Sequence, residues 1–139
     1  MAARPRALLV VDDDPDSGAL TAALLRDAGY RVTAVATEAA ALAALAARRY
    51  DLVLMDPLGA ASGVDPGRWA ALERVRAAAG GTPTVIFTAH PPAAFAEWRA
   101  RGFAGLLAKP FDCADLLAAV AAALAAPMLG GGGDGGGLP

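Results

Sequence analysis

Cysteine, histidine and basic residues are all scarce in this sequence. Cys113 is the only cysteine among 139 residues and cannot form an internal disulfide, so we expect a cytoplasmic setting and interpret Cys113 as a packing residue. His90 is the only histidine, and a lone imidazole is more typical of a loop residue than of a metal ligand. Lysine and arginine number 12 against 14 aspartates and glutamates, with no cluster broad enough to follow a phosphate backbone. Direct nucleic-acid binding is therefore not expected.

Long apolar runs are also absent. The apolar stretch 7–11 ends at Asp12, which is too early for the core of a signal peptide. The stretch LLAAVAAALAAPML is shorter than the roughly 20 residues of a membrane span and contains Pro127. We therefore expect no membrane insertion. The length suits one domain, which we place at 7–126, between a short N-terminal tail (1–6) and a glycine-rich flexible tail (127–139).

Short β-branched runs alternate with longer alanine-rich stretches along the chain. Five runs predict strands: ALLVV (7–11), RVTAVA (31–36), DLVLM (51–55), TVIFT (84–88) and LLA (106–108). Apolar residues three or four positions apart predict five helices. In chain order these are marked by Leu20 and Leu24; by Leu42 and Leu45; by Trp69, Leu72 and Val75; by Phe95 and Trp98; and by Leu117, Val120 and Leu124. The alternation predicts an α/β fold of five β-α units, (βα)5, around a doubly wound parallel sheet.

Residues typical of helix boundaries lie where this reading needs them. Pro15 stands at the start of the first predicted helix and Gly29 after its end, while Thr37 and Asp112 stand at N-cap positions. The predicted helices therefore have local signals at their ends as well as apolar periodicity.

Polar side chains stand at the ends of four predicted strands. Asp12 and Asp13 follow the first strand, Asp56 follows the third, Thr88 ends the fourth and Lys109 follows the fifth. Ligands of open parallel sheets lie outside the carboxyl ends of the strands, so we expect these groups to converge. Neighbouring carboxylates that ionise together require a cation, and an all-oxygen set with room for water suits Mg²⁺. Beside Mg²⁺ and Lys109, Asp56 could attack a phosphoryl donor and form an aspartyl phosphate.

Four motifs occur in order, each at a predicted strand end: LLVVDDDPD (8–16), YDLVLMD (50–56), TVIFTA (84–89) and LLAKPF (106–111). In this combination, over residues 7–126, the sequence resembles the receiver domains of two-component response regulators, including the stand-alone chemotaxis type. The resemblance implies a flavodoxin-like five-stranded sheet in the order 2-1-3-4-5. It also implies a signalling phosphoprotein that catalyses, at most, its own phosphorylation and dephosphorylation.

The resemblance assigns a role to each strand-end residue. Asp56 would be the phosphoacceptor and would bind Mg²⁺ together with Asp13, with Asp12 often acting through water and the backbone carbonyl of Leu58 completing the protein ligands. Thr88 and Lys109 would each contact a phosphoryl oxygen. A switch would involve Thr88 and the position of Leu106, and Pro110 would be the family's cis proline.

The resemblance also implies partners. A sensor histidine kinase or a histidine phosphotransfer protein would deliver the phosphoryl group in a phosphorelay, past the small side chain of Ala89. The output would be a protein contact through the surface of the fourth helix, fifth strand and fifth helix. Homodimerisation on phosphorylation is left open.

Two positions depart from the family pattern. Pro57 directly follows Asp56, has no N–H group and favours an extended backbone at Asp56. The loop after it is also longer than is usual, which bears on the placement of the Leu58 carbonyl. Leu106 stands where the family usually has Tyr or Phe, so the usual switch is weakened or relocated, with Phe103 and Phe111 as nearby aromatics.

Two alternatives stay open from the sequence. The first is a pseudo-receiver, which has the same fold and binds partners without phosphorylation. The second is a small Mg²⁺-dependent phosphatase of the haloacid dehalogenase type, with Asp12 as nucleophile, Asp14 as acid/base and Thr88 and Lys109 assisting. That family's acidic pair after the lysine is missing, however, and we expect Asp14 and Asp16 to cap a helix.

Overall fold

A five-stranded parallel sheet forms the centre of the structure. The computed structural model describes residues 4–58, 69–89 and 92–125. The strands are β1 (Ala7–Val11), β2 (Arg31–Val35), β3 (Leu52–Met55), β4 (Thr84–Thr88) and β5 (Gly105–Ala108). They pair in parallel in the order β2-β1-β3-β4-β5. The predicted fold class and strand order are confirmed, with strand ends shifted by at most one residue.

Four α-helices of the described residues cover the sheet: α1 (Pro15–Asp27), α2 (Glu38–Ala47), α3 (Ala70–Ala79) and α4 (Cys113–Ala125). Their N-caps agree with the sequence signals. The side chain of Thr37 accepts from the Ala40 amide at 3.0 Å, and that of Asp112 accepts from the Asp115 amide at 2.8 Å. Gly29 follows α1 with a φ of 103°, a conformation that favours glycine.

The two faces of the sheet bury alternate residues of the central strands. Leu9 and Val11 of β1 belong to the core on one face, and Leu8 and Val10 to the core on the other. Helices α2 and α3 pack on the first face, and α1 and α4 pack on the second. Because β3 and β4 are buried along their whole length, they appear in the sequence as continuous apolar runs.

Two side-chain expectations are wrong. Leu20 was expected on the apolar face of the first helix but is 60% exposed, because α1 buries Gly18, Thr21, Ala22 and Leu25 instead. Cys113 was expected to pack in the interior but begins α4 as an exposed residue. In both cases the rotation of the helix against the sheet decided which residues are buried.

The prediction of a fourth α-helix is also wrong, because the described residues of that stretch do not form one. The chain forms a 3₁₀ helix over Pro92–Phe95 followed by turns up to Gly102, where φ is 91°. Several of its backbone bonds span three residues, as in Trp98 N–H to the Phe95 carbonyl at 3.0 Å, whereas the Arg101 amide donates to the Glu97 carbonyl four residues back at 3.0 Å. Phe95 is fully buried, and its ring meets Trp69 edge-on at 5.2 Å between centroids. Aromatic anchoring holds this connection, which we call the 92–102 segment.

Other expectations fall on residues outside the described ranges. His90 and the glycine-rich stretch 127–139 are among these, so the loop role of His90 and the tail boundaries stay predictions. Within the described ranges, no helix has the length and apolarity needed to cross a membrane.

Candidate functional site

The carboxyl ends of β1, β3, β4 and β5 lie together at one edge of the sheet. Backbone pairing continues one residue beyond the strands. The Asp56 amide donates to the Val11 carbonyl at 2.8 Å, and the Lys109 amide donates to the Thr88 carbonyl at 2.8 Å. Sheet register therefore fixes the backbone positions from which the Asp56 and Lys109 side chains extend.

Three carboxylates converge at this edge, as the sequence predicts. Asp12, Asp13 and Asp56 each place one oxygen so that the three atoms lie within 4.8 Å of one another. We call these three residues the acid cluster. Asp12 is only 2% exposed, Asp56 is partly buried and Asp13 is exposed. Solvent therefore reaches the acid cluster from the Asp13 side.

Lys109 joins two members of the acid cluster. Its Nζ donates to Asp12 Oδ2 at 3.0 Å and to Asp56 Oδ1 at 3.2 Å. The same Nζ lies 4.4 Å from the centroid of the Phe87 ring, where a cation–π contact adds to the attraction. Among the residues that the structure describes, one ammonium faces three carboxylates, which leaves the acid cluster short of positive charge.

The environment of Asp56 opposes its ionisation. Burial is the largest effect and raises the pKa of Asp56, and the nearby Asp12 carboxylate raises it further. The Leu58 amide and the Lys109 ammonium act in the opposite direction without cancelling the rise. A further cation at this edge would favour the ionised, nucleophilic form of Asp56.

The residues after Asp56 form a tight turn. The Leu58 amide donates to Asp56 Oδ2 at 3.0 Å, and Leu58 has a φ of 57°, in the left-handed region that is uncommon for a leucine. Pro57, between them, is buried. Both carboxylate oxygens of Asp56 are thus held, Oδ1 by Lys109 and Oδ2 by the Leu58 amide.

The remaining site residues line the same edge or the core beneath it. Thr88 is fully buried at the end of β4, and the Lys109–Pro110 peptide bond is cis, as the resemblance implies. Leu106 packs against a core that contains Phe103, whereas Phe111 lies in the opposite core. Of the two aromatics near Leu106 in sequence, only Phe103 therefore shares its face of the sheet.

Asp14 and Asp16 lie at the start of α1. Asp14 Oδ1 accepts from the amides of Asp16 and Ser17 at 3.0 and 3.4 Å, which makes Asp14 the N-cap of α1. Asp16 lies in the first turn, where a negative charge favours the helix dipole. The capping interpretation is confirmed.

Sequence reasoning missed two contacts of this site. Phe87 lies under the Lys109 ammonium, although its position in the fourth strand signals only a core residue. Gly18 lies against Asp12, and a Cβ atom at Gly18 would stand 3.5 Å from Asp12 Cβ. A helical glycine four residues after the acidic run was the available sequence signal for close approach.

Known proteins share this architecture. The family model for the response regulator receiver domain matches residues 8–121. The chemotaxis response regulator CheY4 of Vibrio cholerae superposes with a TM-score of 0.72 at 27% identity, covering 86% of this chain and 99% of that one. A putative response regulator from Chloroflexus aurantiacus superposes with a TM-score of 0.74 at 29% identity, covering 88% of this chain and 100% of that one.

A curated relative matches over a shorter stretch. The nitrogen assimilation regulatory protein NtrX of Azorhizobium caulinodans is 43% identical over 49 residues, which is 35% of this chain and 11% of that protein. This chain thus aligns with only a small part of that relative. Since the family model matches most of the chain and the superposed response regulators cover nearly the same part of it, the chain belongs to the response regulator receiver domain family of two-component systems.

Proposed function

We propose that this chain is a response regulator receiver domain in which Asp56 accepts a phosphoryl group and signals through a protein contact. The observation that carries the proposal is the arrangement of Lys109, which bonds both Asp12 and Asp56 at the carboxyl edge of the sheet. An ammonium beside a carboxylate nucleophile stabilises the negative charge on a phosphoryl group during transfer.

Asp13, Asp56 and the Leu58 carbonyl would hold Mg²⁺, with Asp12 acting through water. The acid cluster fits this ion because its donors are all oxygen and because one ammonium leaves negative charge uncompensated. Bound there, Mg²⁺ would neutralise charge on the phosphoryl oxygens. The exposed Asp13 gives an ion access to the cluster from solvent.

The transfer itself needs one bond exchange. An Asp56 carboxylate oxygen forms a bond to phosphorus, while the bond from phosphorus to the donor breaks and its electron pair leaves with the donor. The donor is a phosphohistidine of a kinase or a phosphotransfer protein, or a small acyl phosphate. Lys109 and the Thr88 hydroxyl would each contact an oxygen of the transferred group, and water later hydrolyses it. The protein therefore acts as a phosphoacceptor rather than as an enzyme on external substrates.

The output would be relayed from Thr88 through Leu106. Leu106 packs against the core that contains Trp69, Phe95 and Phe103. A displacement of Leu106 would therefore change the packing of the 92–102 segment. That segment, β5 and α4 form the surface on which we propose that a downstream protein docks, either with this chain as a monomer or as a homodimer on phosphorylation. The lone Cys113 is compatible with the cytoplasmic location we propose.

Acetyl phosphate tests the phosphoacceptor directly. Incubation of the wild type with acetyl phosphate and Mg²⁺ should add the mass of one phosphoryl group, detected by intact mass spectrometry. Asp56→Asn should abolish the adduct, whereas the matched substitution at the exposed Asp27 should not. Backbone NMR should show shifts at Thr88, Leu106 and Lys109 on treatment with beryllofluoride and Mg²⁺. An adduct that survives in Asp56→Asn would refute the assignment.

The alternatives predict different results in the same experiment. No adduct with retained Mg²⁺ binding would indicate a pseudo-receiver. Turnover of a generic phosphate ester would indicate a phosphatase. In that alternative Asp14 would be the acid/base, but the Asp14 side chain caps the N-terminus of α1. That observation disfavours the phosphatase.

A further inference from the structure

An open cavity of about 740 Å³ lies at the end of the sheet opposite to the acid cluster. It is lined by the segment before β1, the α2–β3 connection, the α3–β4 connection and the end of α4. Asp51 immediately precedes β3, and Asp56 immediately follows it. At about 3.3 Å per residue, Asp51 and Asp56 are roughly 16 Å apart, so the cavity is separate from the phosphoacceptor site.

Four arginines line this cavity: Arg4, Arg6, Arg48 and Arg49. Within the described ranges, no carboxylate forms an ion pair with any of them, and the ion pairs that do form involve Arg74, Arg101 and Lys109. Asp51 is the one acidic residue among the described residues of the lining, and its Oδ2 already accepts from the Ala7 amide at 2.7 Å. Arginines thus converge here without a carboxylate partner from the described part of the chain, whose full sequence has a net charge of −2.

Helix ends offset only part of this positive charge. The carboxyl ends of α2, α3 and α4 contribute lining residues, and each helix end carries about half a negative charge. The positive charge of four guanidinium groups exceeds the combined negative charge of three such helix ends and the Asp51 carboxylate. A role limited to helix-dipole compensation therefore leaves more than one positive charge unexplained.

We propose that this cavity, which we call the arginine cavity, binds an anion with linked phosphoryl groups, such as the polyphosphate of a nucleotide. Guanidinium groups bond phosphate oxygens in pairs, and several arginines around one space suit several phosphoryl groups. The volume lies in the range of small-molecule sites. Leu45, Pro83 and Leu124 supply apolar wall on which a base can lie.

The test is titration calorimetry in Mg²⁺-free buffer with EDTA, using tripolyphosphate, ATP and adenosine as probes. Tripolyphosphate and ATP should bind saturably and adenosine should not. The variant R48A/R49A removes two exposed lining arginines and should weaken binding by about tenfold or more. The matched control R26A/R99A removes two exposed arginines outside the cavity and should keep the wild-type affinity. ATP binding more tightly than tripolyphosphate would identify a nucleotide, and equal affinity would identify the polyphosphate alone.

Backbone NMR of the wild type locates the probe without any variant. Shifts at Asp51, Gly81 and Thr82 would support the arginine cavity. Shifts confined to Asp13 and Lys109, the absence of saturable binding, or equal weakening in both arginine variants would overturn the proposal. Because the probes and the responding residues differ from those of the acetyl phosphate experiment, either result stands whether or not Asp56 is phosphorylated.

Discussion

Removal of the Lys109 ammonium is the sharpest perturbation of the acid cluster. Lys109→Met keeps the length and the apolar stem of the side chain, so packing over Phe87 is largely retained. It removes both hydrogen bonds, to Asp12 Oδ2 and to Asp56 Oδ1. The variant therefore isolates the charge from the volume of the side chain.

The expected loss in the free energy of unfolding depends on how deeply each charged side chain is buried. Removing one partner of a fully buried ion pair costs about 3–5 kcal/mol, whereas exposed pairs contribute about 0.2–1 kcal/mol. The Asp12 side chain is 1% exposed, while those of Lys109 and Asp56 are 16% and 17% exposed. With solvent screening at two of the three groups, we expect Lys109→Met to lower the free energy of unfolding by about 2 kcal/mol.

Urea unfolding at neutral pH in EDTA measures this loss, which corresponds to a fall in Tm of roughly 6–10 °C. Arg74→Met is the matched control, because its ion pair with Glu38 is exposed and should contribute less than about 1 kcal/mol. The gap between Lys109→Met and wild type should narrow at low pH, where protonated carboxylates no longer need a cation, and also on addition of Mg²⁺. A loss no larger than that of Arg74→Met, or one that Mg²⁺ leaves unchanged, would show that the Lys109 ammonium does not stabilise the acid cluster.

Further predictions concern single side chains. In Mg²⁺-free buffer, the stability of Asp56→Asn relative to wild type should increase as the pH rises above about 4, the ordinary pKa of an aspartate. Burial raises the pKa of Asp56, so the stability that its proton contributes is lost as pH rises through the folded-state pKa, and urea midpoints at each pH measure this. Asp14→Ala should lower urea stability by about 1 kcal/mol through loss of the α1 N-cap, whereas Asp27→Ala, at an exposed position, should change it by less than about 0.5 kcal/mol. Phe95→Ala should cost about 4 kcal/mol in thermal unfolding and Leu20→Ala less than about 0.5 kcal/mol, and comparable losses would contradict the packing of the 92–102 segment.

The fold could be predicted because its signals are local and repeated. Buried parallel strands appear as short apolar runs, and Pro15, Thr37 and Asp112 mark helix starts by their own backbone chemistry. The prediction failed where local and tertiary signals differ. The apolar spacing of Phe95 and Trp98 suits an α-helix, but the chain forms a 3₁₀ helix there, in which Phe95 packs against Trp69.

The sequence alone was enough to predict the five strands and their order along the chain. It also placed Asp12, Asp13, Asp56, Thr88 and Lys109 at strand ends, because a residue's place along its own strand is a local property. Which carboxylate is buried, and which two carboxylates share the Lys109 ammonium, depends on the tertiary structure, since Lys109 and Asp12 are 97 positions apart in the chain. The tertiary structure also decided that arginines from two separate segments line one cavity at the opposite end of the sheet. Distances of this kind depend on sheet register and on how the helices pack, and neither is a property of a single stretch of chain.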